Sequence, residues 1–145
     1  MATSEITTGN DRPHMGGTPS IHTFDSPQPT PPADHSSHIA THRGVAYISG
    51  RLPVTPDDSP LAGEPFEVQA RQVLNNLDAC PGTAGTGSER QISVAVYLSD
   101  IGDWSAFDQV YKEWRGTTRP ARAVAGAREL HHESAVEVHA VAALD

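Results

Sequence analysis

One cysteine, Cys80, stands among the 145 residues, so no disulfide within the chain can hold the fold together. Cations are also scarce. Ten Lys and Arg face eighteen Asp and Glu, a formal charge of −8, and the isoelectric point is near 5.3. A protein that binds nucleic acid irrespective of sequence needs a basic surface to neutralise phosphates, which this composition lacks. Nor does any apolar run approach the roughly 20 residues needed to cross a bilayer. The opening "MATSEITTGNDRPHMGG" has neither a basic nor an apolar segment of the secretory kind, so the expected location is cytoplasmic. The length suits one domain with an ordinary core.

Composition shifts once along the chain. Residues 1–35 carry six of the twelve prolines among Ser, Thr and Gly, too little apolar surface to offset the entropy of ordering. They read as a flexible arm with "SIHTF" (20–24) as its one short strand, and 36–145 as the folded domain. There "GVAYISG" (44–50) reads as a strand followed by the turn-rich "RLPVTPDDSPLAGEP". "FEVQARQVLNNLDA" places Phe66, Ala70, Val73, Leu74 and Leu77 on one helical face, and the Pro and Gly of "CPGTAGTGSE" end that helix. "QISVAVYL" (91–98) alternates as a strand. A second helix starts near Asp103 as N-cap and stacks Trp104, Phe107, Val110, Tyr111 and Trp114 on one side.

Two charges interrupt the last two strands, in "PARAVAGARELHHESAVEVHAVA". With a period of two, Ala121, Ala123, Ala125 and Ala127 share one face of the first strand, and Arg122, Val124, Gly126 and Arg128 the other. The small alanines suit close packing beneath a helix. In the second strand Val136, Val138, Ala140 and Ala142 oppose Glu137, His139 and Val141. The element order predicts an α+β domain: a mixed sheet with two helices on one face. Its other face would carry Tyr47, Ser49, Arg122, Val124, Glu137 and His139 and meet solvent or another subunit.

The segments "YISGRLPVTPD", "FEVQARQVLNNLDA", "VYLSDIGDWSAFDQVYKEW" and "PARAVAGARELHHESAVEVHAVA" together resemble the Rid family, also called YjgF-type or RidA-like, over residues 44–143. The resemblance implies a chorismate-mutase-like fold and a homotrimer with ligand clefts between subunits. It also implies hydrolysis of reactive enamines and imines, such as 2-aminoacrylate, to 2-keto acids and ammonia, with no cofactor or metal. Carried over by position, Arg122 grips the substrate carboxylate, a task suited to a planar guanidinium fork. Glu137 holds the hydrolytic water and passes protons to the leaving ammonia. Ser49 and Gly50 match the family's Ser-Gly at the cleft. Asp108 stands where the family has Asn, Val124 where it has Cys, and His139 where it has a second acidic residue. The aromatic lid, a Tyr in many active members, has no counterpart, with Ser36 or Ser37 nearest its place.

Blander readings compete. Arg122 and Glu137 could be a surface ion pair across neighbouring strands, worth about 0–1 kcal/mol. His35, His38 and His42 are spaced like metal ligands but sit in a segment with little structure. "GTAGTG" lacks the Lys of a phosphate loop. The alternative function is a non-catalytic small-anion-binding or regulatory trimer, in which Arg122 anchors an anion without turnover. Retention of Glu137 favours the hydrolase, because binding a carboxylate does not call for a second negative group beside it.

Overall fold

The computed structural model describes residues 20–25, 35–84 and 88–144. Most of the expected arm, 1–19 and 26–34, lies outside the described residues. Six strands and two helices follow in order: β1 (His22–Phe24), β2 (Ile39–His42), β3 (Val45–Arg51), α1 (Phe66–Ala84), β4 (Gln91–Leu98), α2 (Trp104–Arg115), β5 (Ala121–Gly126) and β6 (Val136–Ala143). They form one sheet in the order β1-β2-β3-β6-β4-β5. Only the β4–β5 pair is parallel, as a helical crossover through α2 requires; the others are antiparallel. The last strand, β6, enters the middle of the sheet, between β3 and β4. No helix among the described residues is long and apolar enough to cross a membrane.

The expected mixed sheet with two helices is therefore present, and β1 falls on "SIHTF". A short hairpin is expected before the 44–50 strand, but the sequence sets no bounds for β2, whose four residues are too few to display a period. β2 reaches β3 through Arg43 and Gly44, both at positive φ (50° and 77°), the backbone signs of a tight hairpin turn. α1 extends to Ala84, past the stop expected at Pro81; proline removes one N–H from the ladder there, and the helix continues through it. At α2, Asp103 occupies the cap position without a side-chain bond. The capping oxygen belongs to Asp100, which accepts from the Gly102 N–H at 2.8 Å and opens a short 3-10 turn before the helix.

The core lies between the helices and one sheet face. α1 buries Ala70, Val73, Leu74, Leu77 and Cys80; α2 buries Phe107, Val110 and Tyr111; the sheet contributes Ile39, Ile48, Val94, Val96, Leu98, Val136 and Val138. Each Val, Leu, Ile or Phe side chain among them, fully buried, contributes about 1.5–3 kcal/mol. Trp104 does not join them, being 44% exposed, while Arg115 at the end of α2 is buried.

Register settles which residues share a face, and it reverses one expectation. Val94 pairs with Arg122 in β5 and with Ala140 in β6; Val96 pairs with Val124 and Val138. Arg122 and Val124 thus lie on the helix-covered face, and Val124 packs against the core. The alanines of β5 expected beneath a helix are instead exposed on the open face. β5 is an edge strand, and on its covered face Arg122 meets Asp108 and Tyr111 of α2. β4 carries an irregularity of its own: a register shift between Gln91 and Ser93 buries Gln91 and turns Ile92 outward.

Candidate functional site

On the helix side, α2 presents Asp108, Tyr111 and Arg115 at i, i+3 and i+7, a stripe along one flank of the helix. Arg122 reaches this stripe from β5. Its Nη2 donates to Asp108 Oδ1 at 2.9 Å, both side chains being about four-fifths buried, and its guanidinium lies 4.9 Å from the centre of the Tyr111 ring. Lys112 approaches the other Asp108 oxygen at 3.3 Å. The hydrogen bond from Arg122, and then that from Lys112, hold the Asp108 carboxyl below its ordinary range, so it remains ionised well into acid solution. The planar fork of Arg122 is thereby oriented by a carboxylate at one nitrogen and by an aromatic face beneath it.

On the open side stands Glu137. Between Ile48 and Arg51 the β3–β6 register shifts, so that Ser49 and Gly50 bulge opposite His139. A Cβ at Gly50 would collide with the Glu137 carboxylate oxygen, so the absence of a side chain lets the carboxylate rest against the β3 backbone. Ser49 is fixed by its Oγ, which donates to the Ser37 carbonyl at 2.6 Å, and by its N–H, which donates to the His38 carbonyl at 2.9 Å. With its proton committed, the hydroxyl offers lone pairs to an incoming donor. Across β4, Tyr97 pairs in register with Glu137. The Tyr97 hydroxyl is 3.3 Å from His139 Nε2, and the two rings stack at 5.8 Å.

The structure therefore groups Ser49, Gly50, Glu137 and His139 on one face, and Arg122, Asp108 and Val124 on the other. It also removes the surface ion-pair reading: Arg122 pairs with Asp108, and Glu137 has no ion pair among the described residues. Three residues of these clusters escape the sequence reading. Tyr111 is legible only as one of the apolar stripe of α2, Tyr97 as one of the alternating positions of β4, and Arg115 not at all. The helical spacing from Asp108 was the signal linking Tyr111 and Arg115. The three histidines near the N-terminus do not form a ligand set: among the described residues no three of His, Cys, Asp or Glu are placed to hold a metal. His38 is buried in the sheet margin, and its N–H donates to Asp25.

Comparison with known proteins gives a consistent pattern. The family model described as endoribonuclease L-PSP matches residues 26–144. A RutC family protein of Synechocystis is 33% identical over 126 residues, 86% of this chain and 95% of that protein. Another from Pyrococcus horikoshii is 30% identical over 122 residues, 84% and 94%. The fold superposes on the crystal structure of RidA from an Antarctic Psychrobacter with a TM-score of 0.79 and 25% identity, covering 84% of this chain and 98% of that one.

Proposed function

Since the chain belongs to the YjgF/Rid family, whose model is described as endoribonuclease L-PSP, we propose that it is a cytoplasmic hydrolase of 2-imino acids, converting reactive imines and enamines to 2-keto acids and ammonia. Similarity to a protein named RidA supports the reading. The observation that carries it is Glu137: a half-buried carboxylate with no ion pair among the described residues, seated against the Gly50 backbone. Ribonuclease action is less well supported, because a chain of net charge −8 is poorly suited to polyphosphate binding.

In this mechanism Arg122 takes the substrate α-carboxylate with the donors that Asp108 leaves free. A water held by Glu137 adds to the imine carbon, its oxygen forming the new C–O bond while the C=N pair retreats to nitrogen. Glu137 accepts the water's proton and returns it to that nitrogen. Glu137 then takes the remaining hydroxyl proton and passes it to the amine nitrogen as the tetrahedral carbon collapses to the keto C=O and expels ammonia. Water is the only co-reactant.

Arg122 and Glu137 lie on opposite sheet faces, so one chain does not offer both to a small substrate. We assign the complete site to a homotrimer, in which β5 of one subunit approaches the open face of the next. That face carries exposed Tyr47 and the alanines of β5, an apolar surface suited to burial between copies.

The test is pyruvate release from enzymatically generated 2-aminoacrylate, with semicarbazide trapping the residual imine. Acceleration above the spontaneous rate is expected; no acceleration at several-fold excess of protein would exclude this substrate. A second expectation concerns Gly50→Ala. Its Cβ meets the flexible end of Glu137, so the carboxylate swings aside and the fold survives. Turnover should fall on the order of 10²-fold, as displacements near 1 Å do, with an unchanged melting temperature; full activity would mean that the position of Glu137 is not critical.

A further inference from the structure

We propose that Arg115 and Tyr111 form a second anion subsite beside Arg122, and that the preferred substrate is the imine of a dicarboxylic amino acid. This rests on the imine-hydrolase reading and narrows it. The distal carboxylate would sit between the Arg115 guanidinium and the Tyr111 hydroxyl, while Arg122 holds the α-carboxylate.

The first ground is an unpaired buried cation. Arg115 is 7% exposed, and its Nε and Nη2 are buried without hydrogen-bond partners. Its guanidinium rests 4.9 Å from the centre of the Trp114 ring, and no ion pair among the described residues involves it. Burial of a charge without a partner is strongly unfavourable. The other buried arginine, Arg51, also leaves its Nε unpartnered, but its Nη2 donates to the His38 carbonyl, and the Asp25 carboxylate is close enough to act on it. Arg115 has no carboxylate partner among the described residues, only the neighbouring Tyr111 hydroxyl.

The second ground is the neighbouring hydroxyl. Tyr111 is 6% exposed; its OH lies within hydrogen-bonding reach of the Arg115 guanidinium, which can only donate to it, and its own proton has no acceptor among the described residues. Arginine only donates, and the tyrosine O–H needs an acceptor, so one carboxylate satisfies both groups. The Tyr111 ring carries Arg122 on its face and meets Trp114 at 5.8 Å. Both guanidinium groups therefore flank one aromatic pair, Arg122 on Tyr111 and Arg115 on Trp114.

The third ground is charge. Among the ion pairs of the described residues, Arg122 and Lys112 share the one carboxylate of Asp108, and Arg115 adds a third cation with none. A dianion matches that excess better than a monoanion.

The test compares binding of 2-oxoglutarate and 2-oxopentanoate to the full chain by calorimetry; the two differ only in the distal carboxylate. The expected result is binding of 2-oxoglutarate about 10- to 100-fold tighter, the range for hydrogen bonds to a charged group. Arg115→Met should reduce that preference towards parity while leaving 2-oxopentanoate affinity in place, and Tyr111→Phe should reduce the preference as well. Arg115→Met should also raise the ligand-free melting temperature, because it removes an uncompensated charge. Equal affinities in the wild type, or a preference that survives Arg115→Met, would overturn the proposal. So would dissociation of the oligomer in Arg115→Met with no preference in the wild type, which would give Arg115 to a neighbouring subunit's carboxylate. If 2-aminoacrylate is hydrolysed without a dicarboxylate preference, only this inference fails. An Arg115-dependent preference without imine turnover would instead leave the subsite standing and remove the hydrolase reading.

Discussion

Glu137→Gln is expected to lower kcat for imine hydrolysis by roughly 10²- to 10⁴-fold, the usual contribution of a positioned acid–base group, with little change in KM. The substitution keeps the size of the side chain, so its contact with the Gly50 backbone persists. What disappears is the capacity to accept a proton from the attacking water. Glu137 has no ion pair among the described residues, so no cation is stranded, and stability should stay within about 0.5 kcal/mol of wild type. A steady-state comparison of the two proteins checks this. Equal kcat values would mean that water attacks without help from Glu137.

Arg122→Ala should act on binding. Removing one member of a largely buried, hydrogen-bonded charge contact typically costs about 2–5 kcal/mol, equivalent to a loss of roughly 30-fold or more in kcat/KM. Arg122→Lys should restore only part of the loss. A lysine supplies the charge but neither the planar fork nor the stack on Tyr111. Loss of Arg122 also leaves Asp108 paired with the exposed Lys112 alone, so its carboxyl should titrate at higher pH than in the wild type. The stability that this depressed pKa provides is present above the unfolded-state value and is lost as pH falls through the folded one. Arg122→Ala should therefore narrow the stability difference between neutral and acid solution. Measuring KM for the imine, and melting temperature against pH, covers both effects; unchanged kcat/KM would remove Arg122 from the carboxylate site.

Much of this arrangement is legible in the residues before any coordinates. The period of two in β4 and β6, the apolar face of α1 and the resemblance carried by the Pro-Ala-Arg entry lead to the sheet, the helices and both charged candidates. What fails is the assignment of faces in β5. Alanine fits beneath a helix and on an exposed edge equally well, so an Ala-x-Ala-x-Ala strand does not indicate which way it faces; only pairing with Val94 and Val96 decides. Once β5 is turned, Arg122 belongs with Asp108 and Tyr111 rather than with Glu137, and the site divides between two faces. Arg115 escapes notice for a related reason. A cation in the last turn of a helix reads as a partner for the helix dipole, and its burial follows from tertiary packing that sequence spacing does not reveal.

The division of Arg122 and Glu137 between opposite faces makes the central claim directly testable by subunit mixing. Arg122→Ala and Glu137→Gln proteins, each inactive alone, would be co-assembled in equal amounts and assayed for pyruvate release. If each site takes Arg122 from one subunit and Glu137 from the next, about one interface in four is intact, and about a quarter of the wild-type rate returns. If the mixture stays at the level of its inactive parents although mixed assemblies have formed, the site is not shared between subunits in this way and the account is contradicted.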